Sequence, residues 1–118
     1  MNAPIVAAQA DHSAGHFLRV RQQTMDLCAG LGAEDLLVQS MPDASPGKWH
    51  LAHTSWFFEQ FVLHRDIGYR SPHPEWHYLF NSYYESVGER QPRPLRGMLT
   101  RPSLETIHAY RAHVDAAM

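Results

Sequence analysis

His50 and His53 stand three residues apart in the segment Trp49-His50-Leu51-Ala52-His53. At that spacing two imidazoles are neighbours on one helix face and could share a metal ion, although the backbone turns roughly 300° between them and the angular match is imperfect. Two-ligand helical sites usually use i, i+4 spacing. His53 shares its face with Trp49, Trp56 and Phe57, whereas His50 sits a little outside that stripe, so His53 is the stronger candidate ligand and His50 a partner or packing residue. A histidine in an aromatic surround is also often a satisfied core residue, and residue types alone leave both readings open. Glu59, six residues beyond His53, falls on another face and reads as solvent-facing or loop-facing. Arg90 and Arg93 form an Arg-x-x-Arg pair, and guanidinium groups grip carboxylates through paired hydrogen bonds. Arg96 and Arg101, close to prolines, read as braces of the same stretch. Tyr83 and Tyr84 read as aromatic pins for a loop.

Helices must position these residues. Phe17, Val20, Leu27, Cys28 and Leu31 form an apolar stripe that predicts a first helix from Ser13 to near Gly30 and Gly32. Ala33 to Gln39 adds a short helical piece, and Met41-Pro42-Asp43-Ala44 reads as a turn. Ser45 as N-cap and Pro46 as first helical residue predict a second helix to about His64. Its apolar residues cover most of its circumference, so it should be the central element. Residues 66–102 are rich in proline and arginine, with no sustained period; a connection of this length is usually functional when ordered. One helical turn is expected around Asn81 to Ser86. Ser103 reads as the N-cap of a third helix that carries Leu104, Ile107, Val114 and Met118 on one face. No stop signal precedes Met118, so the chain reads as cut in the middle of a helix.

The composition narrows the class. The chain has 118 residues, 44% hydrophobic and 19% charged, with ten basic against twelve acidic side chains. That size suits one domain, and the balance gives no basic surface for nucleic acid. No apolar run is long enough to span a membrane, and no secretion signal is evident. The single cysteine, Cys28, cannot form an internal disulfide; it reads as core and fits a cytoplasmic location. Nine histidines exceed what packing requires, which raises a metal or proton-transfer question.

Three blocks then carry a resemblance: Ser45-Pro46-Gly47-Lys48-Trp49-His50-Leu51-Ala52-His53-Thr54-Ser55-Trp56-Phe57-Phe58-Glu59, then Phe80-Asn81-Ser82-Tyr83-Tyr84-Glu85-Ser86-Val87-Gly88, then Arg93-Pro94-Leu95-Arg96-Gly97-Met98-Leu99-Thr100-Arg101-Pro102. In order and spacing they resemble the N-terminal domain of the EgtB family of ergothioneine biosynthesis, the iron-dependent sulfoxide synthases. The resemblance implies an all-α, DinB-like up-down helical bundle over residues 13–118, incomplete at about three helices; residues 1–12, which have no apolar period, read as a flexible leader. A C-terminal domain similar to formylglycine-generating enzymes is absent from these residues.

The resemblance further implies an enzyme using non-haem Fe(II) and O₂ to join a thiol, γ-glutamylcysteine or cysteine, to hercynine. His53 is the implied iron ligand, with Arg90 and Arg93 as the implied grip on the thiol substrate's carboxylates. Two more histidine ligands belong to a later His-x-x-x-His helix. His108 and His113 are five apart, so these ligands read as missing and the chain alone as inactive. Two other readings stand beside this one: a DinB-like metal-dependent thiol or selenol transferase, and a non-catalytic helical module that self-associates through an uncovered apolar face.

Overall fold

The computed structural model describes residues 3–81 and 90–118, with side chains from residue 13 onward. The fold is all-α, as expected: among the described residues there is no strand, and a lone bridge between Met41 and Ala44 closes the predicted turn. Among the described residues no helix is long and apolar enough to cross a membrane.

The chain divides into two compact units, residues 1–30 with Met118, and residues 31–117. The first unit is α1, Ala3–Leu27. Its start lies ten residues before the expected Ser13, because Ala3, Ala7, Ala8 and Ala10 are the strongest of helix formers and outweigh the missing apolar period. Gly30, at φ 81°, takes the left-handed conformation that ends this stretch. Of its apolar stripe, Val20 and Leu27 are exposed and Cys28 is only half-buried in the turn, so the cysteine is not core.

The second unit is built on α3, Gly47–Phe61, and α5, Leu104–Ala117. Trp49, Leu51, Ala52 and Trp56 of α3 are buried, as are Ile107, Tyr110 and Val114 of α5. Trp49, Ala52 and Trp56 recur at three-residue and four-residue steps, as do Ile107, Tyr110 and Val114, so each row lines one face of its helix, with Leu51 beside the first. Polar contacts join the two helices. Arg111 Nη1 donates to the Leu51 carbonyl and to Thr54 Oγ1, both at 2.9 Å. Ser103 caps α5 as expected, its Oγ accepting from the Thr106 N–H at 3.2 Å.

Ser45 does not cap α3. The helix starts one residue later than expected, with Pro46 at the N-cap, and the Ser45 hydroxyl accepts instead from Arg96 Nη1 at 2.8 Å. Short helix α2, Ala33–Leu37, packs Leu36 against the start of α3, where a Cβ on Gly47 would lie 2.6 Å from Leu36 Cδ2. At the far end α3 passes into a 3-10 turn at Leu63–Arg65.

The expected long connection is divided into short helical pieces. Pro74 opens a 3-10 turn, Pro74–Trp76, that runs into α4, His77–Phe80, and a second 3-10 turn spans Arg93–Met98. Prolines near the first helical position suit such turns, since their fixed φ is already helical and no N–H is lost there. Trp76 is buried edge-on against Tyr110, 5.1 Å between ring centroids, and so docks α4 onto α5. The helical turn expected at Asn81 to Ser86, with Tyr83 and Tyr84, falls outside the described residues except for Asn81.

Candidate functional site

The end of α4 holds the site's central histidine. A helix leaves its last carbonyls without intrahelical partners, and here two of them are taken by α3. Trp49 Nε1 donates to the Leu79 carbonyl at 2.8 Å, and His53 Nδ1 lies 2.6 Å from the Phe80 carbonyl. A carbonyl only accepts, so Nδ1 carries the proton and Nε2 keeps its lone pair. Trp49, His53 and Trp56 lie at four-residue and three-residue steps, and their rings stack: 4.6 Å and 11° from Trp49 to His53, 5.7 Å and 20° from His53 to Trp56.

This setting holds the His53 pKa below its ordinary value. Desolvation is the largest cause, opposed by the hydrogen bond to Phe80 and reinforced by His50 and Arg96. The ring is therefore neutral at pH 7, with one nitrogen fixed and the other unbonded among the described residues, which is the state in which imidazole ligates metals.

His53 lines a cavity of about 410 Å³. Asp43, Ser45, Trp49 and His50 form other parts of its wall, and Arg93 and Arg96 complete it. His50 is exposed as a whole residue, but its ring packs edge-on against Trp49 at 5.2 Å. Its pKa is lowered first by desolvation and then by the guanidinium groups of Arg96 and Arg93.

The arginines sort differently from the sequence reading. Arg93 lines the cavity as expected, while Arg90 is half-buried and is not part of the lining. Arg96 takes a cavity position as well as its expected bracing role. It is 1% exposed, donates to Ser45 Oγ and to the Asn81 carbonyl, and stands 3.7 Å from the Trp49 ring centroid. A guanidinium suits such a place, since its plane stacks on an aromatic face while its N–H groups bond at the edge. Arg101 is not a brace of this kind: it is exposed, and among the described residues its guanidinium bonds the Thr100 carbonyl at 3.5 Å.

Glu59 is on another face of α3, as expected, but it is not turned to solvent. It is 4% exposed and accepts from Tyr69 Oη at 2.5 Å and Tyr110 Oη at 2.9 Å. Its carboxylate ties α3 to α5 and takes no part in the cavity. No local pattern points to these tyrosines, which lie ten and fifty-one residues away along the chain.

The four-residue histidine spacing is in fact present twice, as His12/His16 and His73/His77, and the sequence reading passed over both. Both residues of the first pair belong to α1, and the side chain of His12 is outside those described. In the second pair His73 stacks on Trp76 at 3.7 Å, with Nδ1 3.5 Å from Glu75 Oε1. His77 packs against Trp56, with its Nε2 buried and unbonded among the described residues. Among the described residues no group of three His, Cys, Asp or Glu side chains is placed to hold a metal ion. The neutral imidazole of His53 can serve as one metal ligand, and among the described residues no set of three ligands forms around it.

The sequence profile of the DinB superfamily matches residues 16–118. The chain belongs to the DinB superfamily, and its helical architecture is that family's expectation. A search of curated proteins finds no match.

Proposed function

We propose that this chain is the N-terminal helical part of a non-haem iron, O₂-dependent sulfoxide synthase that joins γ-glutamylcysteine or cysteine to hercynine. Membership of the DinB superfamily supports the scaffold, and the three sequence blocks that resemble the EgtB family support the activity. The observation that carries the reading is His53, neutral, with Nδ1 held by the Phe80 carbonyl, lining a cavity that also contains Arg93 and Arg96. Iron, when bound, would supply activation of O₂ beside the thiol. His53 would provide one of three imidazoles, and the other two must come from residues outside the described set. Arg93, with Arg96 behind it, would hold a carboxylate of the thiol substrate, which places Arg96 where the sequence reading had Arg90. A cytoplasmic setting would suit the thiol and the ferrous ion.

The test is the complete product of the gene, assayed with Fe(II), O₂, hercynine and each thiol in turn, the sulfoxide being detected by mass spectrometry. Product with one of the thiols, lost in His53→Ala, supports the reading. Absence of product with both thiols at saturating Fe(II) removes it. A self-associating module is the second reading, favoured by the exposure of Leu18, Val20 and Leu27 on α1. Sedimentation that depends on concentration in the metal-free protein, together with no sulfoxide, would select it.

A further inference from the structure

Arg93 and Arg96 ride on the 3-10 turn Arg93–Met98, and one side chain from a distant part of the sequence brackets that turn. Gln39 Nε2 donates to the Arg93 carbonyl at 2.7 Å, and Gln39 Oε1 accepts from the Gly97 N–H at 2.6 Å. An uncharged amide donates from one terminal atom and accepts at the other without adding charge beside two arginines. The fit is close on the other side too. A Cβ on Gly97 would lie 2.5 Å from Gln39 Cβ and 2.6 Å from Oε1, so the turn needs glycine there for the amide to reach across it. Gln39 does not line the cavity.

We propose that Gln39 is a positioning residue, which fixes the turn bearing Arg93 and Arg96 and so sets the grip of the cavity on a carboxylate-bearing ligand. The inference rests on the reading of that cavity as the thiol substrate's carboxylate site. Ser45, Trp49 and the Asn81 carbonyl hold the Arg96 side chain from within the cavity wall. Gln39 holds the backbone of the same turn from outside it. With both in place the guanidinium groups are set before a ligand arrives, and the ordering cost of binding is reduced. Without Gln39 the Arg93 carbonyl and the Gly97 N–H turn to water, and the turn loses its register against α3.

The experiment is NMR on the ¹⁵N-labelled 118-residue chain and its Gln39→Ala and Gln39→Glu variants, each titrated with γ-glutamylcysteine. In Gln39→Ala the Gly97 amide should lose protection from exchange, the Arg96 side-chain Nε–H resonance should shift, and affinity should fall about tenfold. Amide protection around Tyr110, which bonds Glu59 and does not line the cavity, should stay. Gln39→Glu keeps an acceptor for Gly97 but sets a carboxylate against the Arg93 carbonyl, so it should fall between the wild type and Gln39→Ala. Unchanged Gly97 protection and an unmoved Arg96 resonance in both variants overturn the proposal, as does unchanged affinity in both when the wild type binds. A wild type that does not bind γ-glutamylcysteine removes the carboxylate reading, and the Gly97 and Arg96 signals then decide the positioning role by themselves.

Discussion

His53 reaches across from α3 to the backbone of Phe80, and the 2.6 Å contact between Nδ1 and that carbonyl fixes which nitrogen is left with its lone pair. Because the acceptor is main chain, no substitution at position 80 removes it directly. The bond depends on the docking of α4, through Trp76 on Tyr110 and through Trp49 Nε1 on the neighbouring Leu79 carbonyl.

In the complete gene product, His53→Ala should abolish formation of the C–S bond, whereas His50→Ala should lower the rate by no more than about tenfold, the smaller effect expected of a residue that supports a ligand. Rates measured at saturating Fe(II) check this, and equal losses from the two changes would refute the ranking.

Arg93→Ala should raise the KM for the thiol substrate by about ten-fold to a hundredfold and leave the KM for hercynine nearly unchanged, since the thiol substrate brings the carboxylate that the cavity is proposed to hold. Arg90→Ala, outside the lining, should leave both values close to wild type. Steady-state kinetics with one substrate varied at a time decides between them.

Tyr110→Phe removes one of the two phenols that bond the buried Glu59 carboxylate. The loss should be about 1–3 kcal/mol in urea unfolding, the penalty for leaving a buried acceptor short of a donor. Tyr78→Phe, at a ring that is 43% exposed, should change stability by less than about 0.5 kcal/mol.

Tyr69 provides the pH dependence. Its pKa is raised well above the ordinary 10.0, first by desolvation, then by the hydrogen bond to Glu59 and by that carboxylate's charge. Above pH 10 the unfolded chain therefore releases this proton while the folded chain retains it. The unfolded state binds fewer protons there, so stability falls as pH rises from 10 toward the raised value. Urea midpoints measured across that window should decline more steeply for the wild type than for Tyr69→Phe, and parallel declines would rule out Tyr69 as the source.

What the sequence disclosed was local. The Ser103 cap was legible because that serine directly precedes the helical spacing that starts at Leu104. The face shared by Trp49, His53 and Trp56 was legible from helical spacing as well, and so was the left-handed Gly30. Ser45 looked like an equally good cap, but its hydroxyl serves Arg96, 51 residues along the chain, and no local pattern carries that information. The Phe80 carbonyl could not be singled out because every residue has one. Glu59 meets the loop at Tyr69, one of its two expected settings, but its burial was not legible, because a carboxylate is ordinarily solvated and its second phenol donor, Tyr110, comes from α5. Gln39 reads as the last residue of a short helical piece until the turn it brackets is seen, while the His73/His77 spacing was plain in the sequence and missed.

The bonds from Arg96 to Ser45 and from Gln39 to Gly97 join positions 51 and 58 residues apart. Such separations give the cavity high contact order, so its two walls meet only after a long stretch of chain has closed on itself. Isolated peptides spanning α3 would thus present the histidines without their arginines. During refolding, the tryptophan fluorescence that reports Arg96 settling on Trp49 should lag behind the rise of helical circular dichroism.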